Sequence, residues 1–377
     1  MKVMMVRDRN VLNTNWVVYL ANLFAQKGYE VVIACDTYSK LGKNGVGYDL
    51  DKRVRVENLN GKTDNPLTNI YRFLRGKIGV PYFRFNKLIK KEKPDILLSY
   101  FPTDLYNITR FQNHNIPIVQ MVHNHPPVIL NKILKKNRLL RIFCKKSFDK
   151  VHTFQVLMPS YKNKIHPFFE PKNIVKIANP VRQYKENEMV DLTKEKKKII
   201  YVARIEKNIK QPHLLVEAFA KIAKEFPDWK VEIWGSAKYK DYNKEINDFI
   251  KEHNMENQVC LAGYTTDIEA LYRSADIHAF PSNCEGFSLA IADAMAMGLP
   301  HIAFDYAISV NEVVKDNHNG FLVKDVDDFA AKLKLLMLNK DLRIKFGKNA
   351  REDMKEYAPE VLIEQWDNLF NSIIKGN

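Results

Sequence analysis

Cysteine is scarce and poorly placed for any framework. The 377 residues contain four, Cys35, Cys144, Cys260 and Cys284, and none forms a CxxC pair. A zinc ribbon or disulfide scaffold is therefore not expected, and a reducing compartment is. Long apolar runs are also missing. The longest stretch without a charge, Phe111 to Asn131, is broken by histidines, asparagines and three prolines, which excludes a spanning helix. At the amino terminus Arg7, Asp8 and Arg9 cut short a brief apolar run, so no signal peptide is expected and the reading is a soluble cytoplasmic protein. Internal repeats and low-complexity tracts are lacking, and no carboxylate–histidine cluster has the spacing of a metal site.

What the chain does have is a folded protein's composition and an uneven charge. Hydrophobic residues reach 46% and aromatics 11%, which excludes wholesale disorder. The formal net charge is +15, with 31 Lys and Arg against 12 Asp and Glu in residues 1–180, and 28 against 32 beyond. The first half is thus strongly basic and the second slightly acidic, as expected of halves that face different molecules.

Short apolar runs recur, each followed by a segment of helical period. They fall at Lys2–Val6, Val31–Cys35, Asp95–Tyr100, Ile116–Val122 and Val151–Leu157, then at Lys198–Ala203, Lys230–Trp234, Val259–Ala262, Ile277–Phe280 and His301–Phe304. Strands of this kind alternating with helices predict an α/β chain of βαβ units with parallel sheets. The polar stretch Arg182–Lys198 splits the ten strands into two doubly wound, Rossmann-like domains, with a hinge after the turn pair Asn179-Pro180. Ligands of such sheets bind beyond the carboxyl ends of the strands, so the chemistry is sought in the loops that follow them.

The most informative loop and helix are Pro281-Ser-Asn-Cys-Glu285-Gly-Phe-Ser288-Leu-Ala-Ile-Ala-Asp293-Ala-Met-Ala-Met-Gly298-Leu-Pro300. Ser288 falls at the helix start, where unpaired N–H groups favour negative charge. Glu285 lies in the loop and Asp293 on the helix; taken singly, each is an ordinary solvated carboxylate. After the preceding domain's hinge, Ala203-Arg-Ile-Glu-Lys-Asn-Ile-Lys210 offers cations, Arg204 with Lys207 or Lys210, suited to a leaving diphosphate. Asp325-Val-Asp327 has the look of a metal-binding pair, but it stands directly before a helical segment, where acids cap.

Taken together the string resembles the retaining glycosyltransferases of the GT-B fold, specifically family 4 (glycosyltransferase group 1). The resemblance spans nearly the whole chain, through Lys27-Gly-Tyr-Glu-Val31, Val202-Ala-Arg204 with Lys210, Leu261-Ala-Gly-Tyr264, Ala275-Asp276 and Asn319-Gly-Phe-Leu-Val323. It implies an acceptor-binding domain over 1–180, a nucleotide-sugar-binding domain over 181–357 facing it across a cleft, and a helix over 358–377 packed back on the first domain. It also implies roles. Arg204 and Lys210 hold the diphosphate, and counting back nine residues from Phe219 favours Lys210 over Lys207. Glu285 bonds the donor sugar, and the backbone at Gly286, Phe287 and Ser288 meets its hydroxyls and phosphate. Leu289, Gly235 and Ser282 line the donor site, and Asp293 takes the ribose hydroxyls. Ser288 replaces the family's usual glycine and Asp293 its glutamate. His123, with His125 as its rival, contacts the donor hexose.

The first loop, Arg7 to Asn15, lacks the Gly-Gly pair many relatives carry, so phosphate contacts there fall to Asn or Arg side chains; Asn13 and Asn15, with His125, are assigned to the acceptor side. Basic residues also crowd Tyr71–Lys93 and Leu130–Lys150. The second is amphipathic if helical, and its apolar stripe suits either the protein's own sheet or an anionic membrane surface. The expected activity is metal-independent, retaining transfer of a hexose or N-acetylhexosamine, with no cofactor beyond a nucleotide sugar, UDP-linked by expectation. The acceptor is an anionic cell-envelope glycan, a polyprenyl-pyrophosphate-linked oligosaccharide or a teichoic or capsular polymer, reached from the inner face of the plasma membrane. A UDP-sugar epimerase or a phosphorylase shares this architecture. A nucleic-acid-binding module accounts for the basic first half but leaves Glu285 to Pro300 unexplained, so no nucleic-acid partner is expected.

Overall fold

The computed structural model describes residues 1–7, 15–35, 49–59, 70, 74, 84–100, 102–109, 114–134, 142, 145–168, 170–236, 240–307 and 309–376. They divide into two units, Met1–Pro180 with Pro359–Asn377, and Val181–Ala358.

The first unit is built on a parallel sheet of β1 (Lys2–Val6), β2 (Glu30–Cys35), β3 (Arg55–Asn58), β4 (Ile96–Ser99), β5 (Ile118–Val122), β6 (Thr153–Val156) and β7 (Ile174–Lys176), in the order β3-β2-β1-β4-β5-β6-β7. The second holds β8 (Lys198–Val202), β9 (Lys230–Trp234), β10 (Val259–Gly263), β11 (Ile277–Phe280), β12 (His301–Phe304) and β13 (Gly320–Val323), in the order β10-β9-β8-β11-β12-β13. Every pairing in both is parallel. Most inner strands are buried on both faces, and so are written as apolar runs; β9 is the exception, burying Val231 and Ile233 while Lys230 is exposed and Glu232 half-buried.

Ten strands were expected and thirteen are present among the described residues. The three additions, β3, β7 and β13, are all edge strands. An edge strand has one neighbour and more contact with water, so it tolerates the charges of Arg55-Val-Glu-Asn58 or Ile174-Val-Lys176 and loses the apolar signature. In both sheets the strand order reverses once, between β1 and β4 and between β8 and β11. The loops leaving those strands flank the crevice where doubly wound sheets bind ligands.

Helices α1 (Asn15–Lys27), α2 (Phe85–Glu92), α3 (Pro102–Thr109), α4 (Pro126–Leu134) and α5 (Tyr161–Ile165) belong to the first unit; α6 (Pro212–Ala220), α7 (Lys240–Glu252), α8 (Ile268–Arg273), α9 (Leu289–Ala296), α10 (Val326–Leu338) and α11 (Lys340–Met354) belong to the second. Asp325 caps α10, accepting the N–H of Asp328 at 2.9 Å, which accounts for the Asp-x-Asp without a metal. Gly298 stops α9 at φ +85°, a conformation that suits glycine. The last helix, α12 (Pro359–Lys375), joins the first unit. Its Trp366 and Phe370 pack on Phe24 at ring distances of 5.6 and 5.4 Å, while Asp367 accepts the Tyr29 hydroxyl. Burying each of these rings is worth about 1.5–3 kcal/mol.

The basic amphipathic segment is only partly described. Leu130 and Phe148, two members of its stripe, are buried in the first unit, with Phe148 edge-on to Phe154 of β6. These two face the sheet. The side chains of Ile133, Leu134, Leu140 and Phe143 lie outside the described residues, as does most of Tyr71–Arg84.

Candidate active site

At the β8/β11 reversal two loops are laced together. The Asn283 backbone N–H donates to the Ile209 carbonyl at 2.9 Å and its side-chain amide to the Asn208 carbonyl at 2.7 Å. The β8 loop is closed on itself by Gln211 N–H to the Glu206 carbonyl, and Tyr201 donates its hydroxyl proton to the Arg204 carbonyl at 2.9 Å. Gly235 reaches this loop from β9. A Cβ there would sit 1.7 Å from the Ala203 carbonyl oxygen, so the close approach itself requires glycine.

This lacing brings Lys210, Ser282 and Glu285 to one point. Lys210 Nζ lies 2.5 Å from Glu285 Oε1, and Ser282 Oγ lies 2.6 Å from the same oxygen. The Ser282 hydroxyl is also 3.0 Å from the Ile209 carbonyl, and its single proton serves one of the two. The pair is mostly withdrawn from water, with side chains 15% and 9% exposed, and the ammonium stands over the Phe280 ring at 5.1 Å. Ser309, which sequence reasoning did not reach, donates to the Glu285 carbonyl at 2.8 Å. The rival Lys207 points elsewhere: it is 53% exposed and pairs with Glu245 of α7. Arg204 is 63% exposed and pairs loosely with Glu206 at 3.8 Å.

Next to Glu285, Phe287 is buried and packs on Tyr357 at 5.2 Å. Ser288 occupies the N-cap position of α9 in extended backbone, buried, and makes no side-chain cap bond. Gly286 and Leu289 are half-buried on either side of it. Asp293 lies one turn further along α9. Burial first, and then the Glu269 carboxylate, push its carboxyl up to about 7, against the opposing pull of Arg182. Arg182 is itself ion-paired to Glu269. Deeper in this sheet His278 and His301 face each other with Nδ1 atoms 3.0 Å apart, both held neutral by burial.

In the first unit the β1/β4 reversal and the neighbouring β5 end carry a second cluster. His123 follows β5, Tyr100 follows β4 and Arg7 follows β1. The His123 ring stacks on Trp16 of α1 at 3.9 Å and 22°, Trp16 stacks on Tyr100 at 4.8 Å, and the Arg7 guanidinium covers Tyr100 at 4.3 Å. Burial lowers the imidazole to about 3, with Gln155 alongside opposing that shift and Arg7 adding to it. His125 is separate, edge-on to Tyr161 at 5.6 Å, with its carbonyl receiving N–H groups from the first turn of α4. Asn13 lies outside the described residues; Asn15 opens α1, with its side chain outside the description. Trp16 and Tyr100 were not singled out from sequence, because nothing in their spacing shows that α1, β4 and β5 converge. Among the described residues no group of three His, Cys, Asp or Glu forms a metal site.

Comparison with known families places both halves. Residues 183–353 match the model described as glycosyl transferases group 1, and residues 14–182 match glycosyltransferase family 4. The chain is a GT-B-fold glycosyltransferase. This glycosyltransferase is 26% identical to an uncharacterized glycosyltransferase of Haemophilus influenzae, covering 93% of this chain and 94% of that one. It is 28% identical to a poly(ribitol-phosphate) alpha-N-acetylglucosaminyltransferase of Staphylococcus aureus, over 79% of this chain but 59% of that enzyme's length. Among solved structures, S. aureus TarM, crystallised with fondaparinux, alpha-GlcNAc-glycerol and UDP, superposes with a TM-score of 0.73 at 17% identity, over 98% of this chain and 100% of that one. At that identity the likeness speaks for the fold.

Proposed function

We propose that this glycosyltransferase moves a hexose or N-acetylhexosamine, with retained anomeric configuration, from a UDP-sugar to a cell-envelope acceptor: a glycan, a lipid-linked oligosaccharide, or a teichoic or capsular polymer. The observation that carries the reading is the Lys210–Glu285–Ser282 cluster at the β8/β11 reversal. It sets a cation and a hydrogen-bonding carboxylate side by side ahead of a helix amino terminus. In this reading the second unit takes the donor and the basic first unit takes the acceptor, and the relative acting on poly(ribitol-phosphate) supports an anionic acceptor.

The chemistry is a same-face displacement. As the bond from the anomeric carbon to the diphosphate oxygen breaks, negative charge gathers on the leaving diphosphate. Lys210 commits one proton to Glu285 and keeps two donors for phosphate oxygens. Arg204, exposed and only loosely paired with Glu206, brings its planar fork. Fixed cations and N–H groups of Gly286 to Ser288 stabilise that charge without reorganising, which is where such sites gain most of their rate. The acceptor proton passes to a donor phosphate oxygen; no side chain is assigned as nucleophile. Glu285 orients a sugar hydroxyl, His123 meets the hexose as a neutral imidazole, and Asp293 takes the ribose hydroxyls.

No described helix is long and apolar enough to cross a membrane. We assign the chain to the cytoplasmic side; Leu130 and Phe148 are turned to the sheet, so peripheral contact with an anionic membrane through 130–150 falls to the basic residues of that segment. The test incubates the purified chain with a panel of nucleotide sugars, with and without polyol-phosphate polymers and polyprenyl-linked glycans. It reads nucleoside diphosphate release and the anomeric configuration of the product by NMR. Release from a UDP-sugar with an α-linked product from an α-linked donor is expected. No turnover with any donor and acceptor pair overturns the reading.

A further inference from the structure

We propose that Trp16 is the positioning residue for His123, its indole face setting the plane of the imidazole and screening it from water. The inference rests on the reading of His123 as a donor-sugar contact. Three strand ends that are neighbours in the sheet, those of β1, β4 and β5, deliver Arg7, Tyr100 and His123 to one place. Trp16, on the first turn of α1, inserts among them and stacks on both Tyr100 and His123, within 22° of parallel in each case. Tyr100 is anchored in turn: Gln120 of β5 donates to its carbonyl at 3.3 Å, and the Arg7 guanidinium lies over its ring at 4.3 Å. The imidazole is therefore held chiefly through a face, with the Gln155 side chain beside it. Both ring nitrogens are buried, and beside them lies only the Gln155 amide, a neutral group that can be exchanged for a sugar hydroxyl when the donor enters.

That arrangement matters because an imidazolium has two donors and no acceptor. Among the described residues the charged and titratable groups that act on the ring and its neighbour are Arg7 and Tyr100, with Asp104 acting on Tyr100 and the neutral amide of Gln155 beside the ring. Arg7 opposes a second positive charge, and the Trp16 face withholds the water that would stabilise one. The ring thus stays neutral through the physiological range, with both of its hydrogen-bonding modes intact. Remove the indole and water reaches the imidazole, which returns toward its ordinary value of about 6.5 and gains rotational freedom.

The test measures turnover against pH for wild type, Trp16→Phe, Trp16→Leu, His123→Asn and the Trp16→Leu/His123→Asn double variant. Trp16→Leu is expected to lose about 10- to 100-fold in kcat and to acquire an acid limb with a midpoint at about 6 to 6.5. Trp16→Phe, which keeps a stacking ring, restores most of kcat and removes the limb. The double variant should be no worse than His123→Asn alone. A Trp16→Leu loss that adds to that of His123→Asn, with an unchanged pH profile, overturns the proposal. A second readout needs no substrate: in 15N-histidine-labelled protein, the His123 imidazole stays neutral at about pH 5 in wild type and titrates in Trp16→Leu. If His123→Asn has full activity while this NMR difference holds, the role given to His123 fails and the positioning by Trp16 stands. If His123 titrates identically in both proteins, the positioning fails.

Discussion

Removing the Lys210 charge should show that the loop cluster is a real, partly buried ion pair. At 2.5 Å and an effective dielectric of about 20, the attraction is about 7 kcal/mol before desolvation. Truncating one partner of such a pair leaves the other charge stranded and costs about 3–5 kcal/mol when burial is complete. Here both side chains keep some contact with water and Glu285 retains the Ser282 hydroxyl, so Lys210→Met should cost about 2–3 kcal/mol. Glu285→Gln should cost about 2 kcal/mol, because the ammonium keeps the Phe280 face. The double variant should fall short of the sum by about 1.5 kcal/mol or more, the mark of residues in contact. Native-state hydrogen exchange of the β8 and β11 amides reads this locally, without treating a two-unit chain as two-state. The exposed Lys207–Glu245 pair is the internal control and should show a coupling of about 0.2–1 kcal/mol that salt abolishes. If the Lys210 and Glu285 effects add to within about 0.5 kcal/mol, the pair does not exist in solution and the site loses its centre.

Three further outcomes follow from burial. Asp293 titrates at about 7 in the fold against about 3.9 unfolded, so the fold binds the extra proton and its stability falls as pH rises through that window. Asp293→Asn should gain up to about 4 kcal/mol relative to wild type between pH 4 and 7 and nothing more above it, and a pH-independent difference refutes the shift. His278 and His301 have the opposite sign: held neutral by burial, they contribute stability above about 6.5 that is lost on acidification. The two slopes oppose in wild type; His278→Gln/His301→Gln should flatten the acid loss in β11 and β12 exchange and expose the Asp293 slope. Gly235→Ala must force the β8 and β9 ends apart, costing about 1–3 kcal/mol or more, read as a lowered unfolding midpoint.

The inner strands were legible because burial on both faces leaves a sequence little choice but an apolar run, as in Lys2–Val6 and Ile277–Phe280. The cap at Asp325 and the stop at Gly298 were legible too, since each is a local rule satisfied within a few residues. The edge strands β3 and β7 were not, because Arg55–Asn58 and Ile174–Lys176 are half-exposed and carry the charges of loops. Leu130 and Phe148 read equally well as facing a membrane or a core, and only their neighbours show that they face the sheet.

By itself, then, the sequence determined a basic first half, a near-neutral second half, parallel α/β architecture and the loop that carries Glu285. Tertiary structure decided which groups meet. Lys207 and Lys210 are interchangeable by spacing, yet one turns out to Glu245 and the other in to Glu285, because the Asn208 and Ile209 carbonyls are bonded to Asn283. Trp16 lies 107 positions from His123 in the chain and 3.9 Å from it in space. That contact comes from placing β4 between β1 and β5, a long-range choice that no local pattern of residues records.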